Sequence, residues 1–234
     1  MNHIKKIILP ALLALSTSVF SQESLITLKA GDDISELYKY VYRYAQFQPG
    51  RVYFLDGDSA GTSMNYNLYD GEIHFISKGD TMLIDNKEKV SLIVIGVDSF
   101  TMHDGQFLRI VHDYGLARLA VADKLRLHDE QRIGAMGVAR PTHNIDSKSS
   151  FNSWQTLKLQ LSRDLIFSKE KHFYFSNGKG FLAVNKKNLS GLFSFAGKKA
   201  FEDYEKSCHP NLKDEGHLDK LFSCMAVQYK NMNH

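Results

Sequence analysis

From residue 51 to residue 128 the chain is a succession of short runs rich in apolar and β-branched residues, each cut off by a turn signal. That serial pattern restricts the fold more than any other feature. The runs read "RVYFLD", "TSMNYNLY", "EIHFIS", "DTMLI", "SLIVIG", "DSFTMH", "QFLRIVH", "LARLAVA" and "KLRLH". Asp-Gly and Lys-Gly dipeptides and charged breaks separate them at roughly the 8–12-residue spacing of antiparallel meanders. "SLIVIG" is apolar on both faces and is expected to be the most buried strand. No alternation of strand with helix occurs, and neither GxGxxG nor GxxxxGK is present, so nothing points to a parallel nucleotide-binding sheet or to a cofactor.

The flanks differ from this middle. "GDDISELYKYVYRYAQFQPG", residues 31–50, reads two ways. Asp33 or Ser35 would cap a short helix, whereas Tyr38, Tyr40, Tyr42 and Tyr44 alternate as a strand face does. Residues 129–152 mix Gly, Pro, Ser and Asn without periodicity, which predicts a long surface loop. Strands resume over 153–185 with "WQTLKLQLSRDLIF", "KHFYFS", an "NGKG" turn and "FLAVN". The period then changes. Leu189, Leu192, Phe193, Ala196, Ala200, Phe201 and Tyr204 follow helical spacing, as do Leu218, Leu221, Phe222, Met225 and Tyr229. The expected tail, 186–230, is two amphipathic helices joined around Pro210. The fold class that follows is mainly β: one or more antiparallel meander sheets, curved or roll-like, with a C-terminal two-helix tail, all in one domain over 22–234.

Residues 1–21 form the three-part pattern of a secretory signal: a basic start at Lys5 and Lys6, an apolar run from Ile7 to Leu15, and small residues before Gln22. The apolar run falls short of the ~20 residues that span a bilayer. No second apolar span follows, so no transmembrane span is expected. Export to the periplasm, the outer envelope or the extracellular space is. The full chain carries a formal charge of +3; the signal accounts for two lysines and no acid, so the remainder is nearly neutral and gives no argument for nucleic acid. With 43% hydrophobic and 12% aromatic residues, the chain has enough apolar surface to fold rather than stay disordered.

Residues 64–84, "MNYNLYDGEIHFISKGDTMLI", concentrate groups with chemistry: Asn67, Asp70, Glu72, His74 and Asp80. Two-residue turns at Asp70-Gly71 and Lys78-Gly79 put Leu68 opposite Ile73, Asn67 opposite His74 and Phe75 opposite Met82. One face then reads Tyr66, Leu68, Ile73, Phe75, Met82 and Ile84, and the other Asn65, Asn67, Glu72, His74 and Thr81. On this register the five groups do not converge. Glu72 and His74 point the same way and are the candidate catalytic pair, an acid and a base in a cleft. The competing reading is a solvated sheet face.

Other signals are weaker. "DGDSAGTSMNYN" opens like a calcium loop with Asp56 and Asp58 as candidate ligands, but Ala60 stands where a further oxygen ligand is needed and Asn67 where the bidentate Glu belongs, and a hairpin turn accounts for Asp56-Gly57 equally well. Cys208 and Cys224 are read either as a disulfide or as two buried thiols; in a simple helical hairpin they sit ~15 Å apart along the axis. With His209 and His217 they match no standard zinc spacing. His103, His112, His128, His143 and His172 are scattered. HExxH is missing, as is any cysteine in a protease context.

The lead into "PGRVYFLDG", the block "MNYNLYDGEIHFISKGDTMLIDN", the run "IGVDSFTMHDGQFLRIVHDYG" and the later "HFYFSNGKGFLAVNKKNLSGLF" together resemble a family of exported, uncharacterised β-rich proteins of Bacteroidetes-type bacteria. The resemblance covers nearly all of the chain after the signal. It implies export and an antiparallel β fold with a helical tail, and brings no activity, cofactor or catalytic residue. The functional expectation is a non-catalytic binding or scaffold protein whose partner is an envelope protein or ligand. The alternatives are a hydrolase acting on cell-surface material through Glu72 and His74, and a small-ligand carrier whose sheet encloses an apolar cavity.

Overall fold

Left-handed backbone at Lys78 and Gly79, φ 51° and 90°, closes a two-residue turn in which the glycine carries no steric penalty. Strands β4 (Glu72–Ser77) and β5 (Asp80–Leu83) pair across it, with Phe75 opposite Met82 as the sequence predicts. The same hairpin logic builds the rest of the sheet. The computed structural model describes residues 25–114, 117–128, 164–176, 180–192 and 195–232. Its remaining strands are β1 (Ile26–Leu28), β2 (Gln48–Phe54), β3 (Ser59–Asn67), β6 (Val90–Ile95), β7 (Asp98–His103), β8 (Gln106–Asp113), β9 (Arg118–His128), β10 (Leu165–Ser176) and β11 (Phe181–Ala183). They form one open antiparallel sheet in the order β1-β10-β9-β8-β7-β6-β2-β3-β4-β5, with β11 beside the end of β10. The expected signal at 1–21, the loop at 129–152, Trp154, His143 and Phe193 lie outside the described residues.

The sheet is strongly curved. β3 and β9 stand five places apart in the strand order, so a flat sheet would separate them by about 24 Å. Instead the Leu68 carbonyl, just past β3, accepts from the Leu125 amide of β9 at 2.7 Å. The Tyr66 hydroxyl of β3 likewise donates to the Phe107 carbonyl of β8 at 3.2 Å. Only folding the sheet over on itself brings these groups together. At Gly50 in β2 a Cβ would come within 2.9 Å of the Met64 sulfur and 3.0 Å of the Val94 carbonyl, so the bend between β3 and β6 leaves room only for glycine.

Helix α1 (Ile34–Val41) settles the ambiguity of residues 31–50. Asp33 caps it, its carboxylate accepting from the Ser35 amide at 2.7 Å, and the helix stops where Tyr42 turns extended. Leu37 and Val41, one turn apart, bury against the curved sheet with Tyr66, Ile73, Ile93, Phe100 and Phe167. A second cluster lies at the other end, where Leu119, Val121, Phe173 and Phe175 meet the tail residues Leu189, Phe201, Leu218, Leu221 and Phe222.

The tail is helical as expected, its described helices being α2 (Lys186–Leu192), α3 (Phe195–Cys208) and α4 (Glu215–Met232). Three expectations are corrected. "LARLAVA" and "KLRLH" are one strand, β9, and the end of the 154–167 run joins "KHFYFS" in β10. The charges read as breaks are tolerated inside strands: Asp123 is neutralised by two arginines, and Lys169 and Lys171 point to water. The most buried strand is β9, solvent-free from Leu119 through Ala122, rather than β6, whose Ser91 is exposed. Finally, β3 and β4 pair two residues away from the expected register: Tyr66 opposite Ile73, Asn65 opposite His74, and Asn67 opposite Glu72.

Candidate functional site

That register shift follows from the turn. Residues 68–71, not 70–71 alone, connect β3 to β4, because the Leu68 amide and carbonyl are taken by Val41 and Leu125 and are lost to the hairpin. Asn67 shapes the turn by accepting from the amides of Tyr69 at 2.8 Å and Asp70 at 3.4 Å. Asp70 accepts in turn from the Glu72 amide at 2.9 Å. A shift of two keeps every side chain on its expected face, so the sorting of apolar from polar residues holds although the partners change.

Over β3 and β4 the polar face is not wet, although Thr81 of β5 is exposed. Asn65, Asn67 and His74 are 1%, 0% and 3% exposed, because the chain leaving α1 lies across them. Asn65 grips the Tyr44 backbone with both ends of its amide, at 3.1 and 2.8 Å. Nor do the groups stay apart. Asp70 Oδ2 meets His74 Nε2 at 3.1 Å, and His74 Nδ1 meets the Tyr42 hydroxyl at 2.8 Å. In the tautomer that carries its proton on Nε2, that nitrogen donates to the Asp70 carboxylate and Nδ1 accepts from the Tyr42 O–H. Burial first, then the Tyr38 and Asp70 charges, pushes the Tyr42 hydroxyl's pKa well above the ordinary tyrosine range, so it stays a donor.

Glu72 pairs with Lys87 rather than with His74. Its second oxygen, Oε2, and the Asn67 amide Nδ2 are buried without a hydrogen-bond partner. Asp80 is exposed at the far turn and takes no part. The result is a Tyr42–His74–Asp70 chain of the kind that orients a proton, with both ring nitrogens occupied by protein groups.

A second constellation went unread in the sequence. Arg43 Nε lies 2.8 Å from Asp98, and its Nη1 3.3 Å from Asp123. Arg109 Nε lies 3.1 Å from Asp123, with Nη1 3.9 Å from Asp98. The four charges alternate in a closed ring, and the Tyr44 hydroxyl donates to Asp98 at 2.6 Å. Burial raises the Asp98 pKa, but hydrogen bonds from Arg43 and Tyr44 and the charges of Arg43 and Arg109 outweigh it, holding the carboxyl below its ordinary value. No short-range signal marks this ring, since its members are up to 80 positions apart.

The remaining candidates are dispersed. Asp56 accepts from the Asp58 amide at 3.0 Å in the exposed β2–β3 hairpin turn. The same turn carries Gly57-Asp58-Ser59-Ala60-Gly61, a GxSxG match. It joins strand to strand rather than strand to helix, so it is not a nucleophile elbow, and Arg51 donates to Ser59 at 3.1 Å. Ser168-Lys169-Glu170-Lys171, an SxxK match, is on β10, where side chains three apart point to opposite faces; Ser168 bonds His128 instead, at 2.8 Å. Cys208 is an exposed free thiol at the end of α3 and Cys224 a half-buried one within α4. Among the described residues, no group of three or more His, Cys, Asp or Glu side chains is arranged to hold a metal, and no helix is long and apolar enough to cross a membrane.

Comparison with known protein families, with curated protein sequences and with solved structures returned no match for this chain.

Proposed function

We propose that this chain is an exported, non-catalytic β-sheet protein of the cell envelope or the secreted space, with a binding or scaffold role toward an envelope protein or ligand. One observation carries this reading: the polar side chains that chemistry would need are spent on one another. Both nitrogens of His74 are engaged inside the protein, Glu72 is held by Lys87, and the Arg43–Asp98–Arg109–Asp123 ring closes on itself. A hydrolase working through His74 would need a ring nitrogen facing substrate. A carrier would need open volume where Leu37, Val41, Leu189 and Phe201 pack against the inner face. Exposed apolar side chains do occur at the sheet edge, where Met82 and Leu83 of β5 are about half accessible.

Export with the N-terminal segment intact, followed by reversible cross-linking in intact cells, tests the reading. The expected result is a discrete cross-linked species in the envelope or secreted fraction, unchanged by His74→Gln. A monomer that acquires no cross-link, or a cell-surface hydrolysis that His74→Gln abolishes, would overturn it.

A further inference from the structure

We infer that β5 is a self-pairing edge: two copies of this chain join β5 to β5, antiparallel, about a two-fold axis centred on Met82. Among the described strands β5 ends the sheet order, with β4 on one side and no strand on the other. All of its residues are exposed, Met82 at 47% and Leu83 at 54%, so its outer side is open to solvent. The hairpin decides which backbone groups face that side. Ser77 and Asp80 flank the two-residue turn and exchange both of their hydrogen bonds, as do Phe75 and Met82. The alternation leaves the N–H and C=O of Thr81 and Leu83 pointing away from β4. Such a row is a template for a further strand, and β5 carries neither Pro nor Lys to blunt it.

The row selects its occupant and register. A strand pairs with its own copy, antiparallel, only where the two-fold sets one residue opposite itself. Centred on Asp80, the axis sets two carboxylates face to face. Centred on Thr81, it sets Leu83 opposite Gly79, which lies in the turn at φ 90° rather than in extended backbone. Centred on Leu83, it sets Thr81 opposite Asp85, which lies in a bend past the strand's end. Centred on Met82, it sets Thr81 opposite Leu83 of the partner copy and Leu83 opposite Thr81 of the partner copy, each pair exchanging both hydrogen bonds. Every outward group of the strand is then used. The two Met82 side chains meet on one face and each Leu83 covers a Thr81 on the other, so both exposed apolar residues lose water. A longer foreign strand finds no further extended backbone at either end of β5, whereas the copy matches the row end to end. The patch is small, so the pairing is weak and depends on concentration. It needs no envelope partner and stands apart from the binding role proposed above.

Single cysteines on a Cys208→Ser, Cys224→Ser background, oxidised with diamide in the purified protein alone, test both pairing and register. Met82→Cys should form a disulfide-linked dimer, because residues opposed in a non-hydrogen-bonded pair have Cα atoms about 4.5 Å apart, within disulfide range. Thr81→Cys and Leu83→Cys should each stay monomeric when oxidised alone and cross-link when mixed. Adding Leu83→Pro to Met82→Cys removes an outward N–H that the chain's own ladder does not use, so the melting temperature should hold while the dimer yield falls several-fold. A folded Met82→Cys protein that gives no dimer would overturn the inference. So would equal cross-linking at all three positions, or a dimer that Leu83→Pro leaves undiminished.

Discussion

Two regions of this molecule assemble the same three side-chain types and use them differently. Near α1, Tyr42, His74 and Asp70 form a chain with the imidazole in the middle and 3% of the His74 side chain exposed. At the tail, Tyr114 donates to Asp219 of α4 at 2.8 Å, and His112 lies 3.7 Å from the same carboxylate, so the carboxylate is central. Here His112 and Asp219 are 39% and 42% exposed. The difference lies in what replaces a lost partner. Water repairs the tail set, whereas nothing repairs the set beneath the α1 segment, because its hydrogen bonds are made away from solvent. Identity of residues says little about energetic weight; burial and order decide it.

The largest effect should come from breaking the buried set. His74→Ala removes, away from solvent, the partner that the Tyr42 hydroxyl and Asp70 Oδ2 share, and should cost about 2–4 kcal/mol. Urea unfolding followed by the tryptophan and tyrosine signals would show this as a lower midpoint at unchanged slope. A loss no greater than that of an exposed substitution would mean that the segment after α1 opens readily and the contrast between the regions fails.

The charge ring is a third polar set to compare with these two, and acid probes it. The Asp98 pKa is lower in the folded protein than its ordinary value near 3.8. The stability this carboxylate contributes is therefore fully present above that value and is lost as pH falls through the folded pKa. The melting temperature should drop as the pH falls below about 4, with part of the drop due to Asp98. Asp98→Asn should start less stable at neutral pH, because Arg43 and Arg109 lose a counter-charge, and then lose less on acidification. An acid profile parallel to that of the unsubstituted protein would show that Asp98 is not the group responding.

How much of this the sequence discloses depends on how local the cause is. Strands β4 and β7 have the bounds their alternation predicts, and the Lys78-Gly79 turn has the left-handed backbone that such a dipeptide favours. The β3–β4 register is not predicted, because Val41 and Leu125 compete for Leu68 and neither is near it in sequence. The polar strip of Asn65, Asn67 and His74 reads as a wet face because the segment that covers it, from Tyr42 to Tyr44, carries no sign of where it will lie. Asp123 reads as a strand break because its neutralising partners, Arg43 and Arg109, are distant in the chain. The buried polar constellations, the part of the molecule most relevant to function, are the part with the longest-range causes.

The smallest expected effect sharpens the comparison from the tail side. Asp219→Asn keeps an acceptor for the Tyr114 hydroxyl and removes the charge that faces His112. Burial first, then the hydrogen bond to Asp219, raises the Tyr114 pKa, so the hydroxyl remains a donor in the variant at neutral pH. Tyr114 also stacks on Phe222 at 5.8 Å, and Leu218, Leu221 and Phe222 of α4 pack with Leu119, Val121, Phe173 and Phe175 whatever residue 219 carries. The cost should therefore be no more than about 0.5–1 kcal/mol, shrinking further in high salt, as for other half-exposed pairs. Unfolding midpoints at low and high ionic strength would measure it. A salt-insensitive loss as large as that of His74→Ala would place Asp219 among the buried, irreplaceable groups and would mean that the order Tyr–Asp–His is as demanding as Tyr–His–Asp.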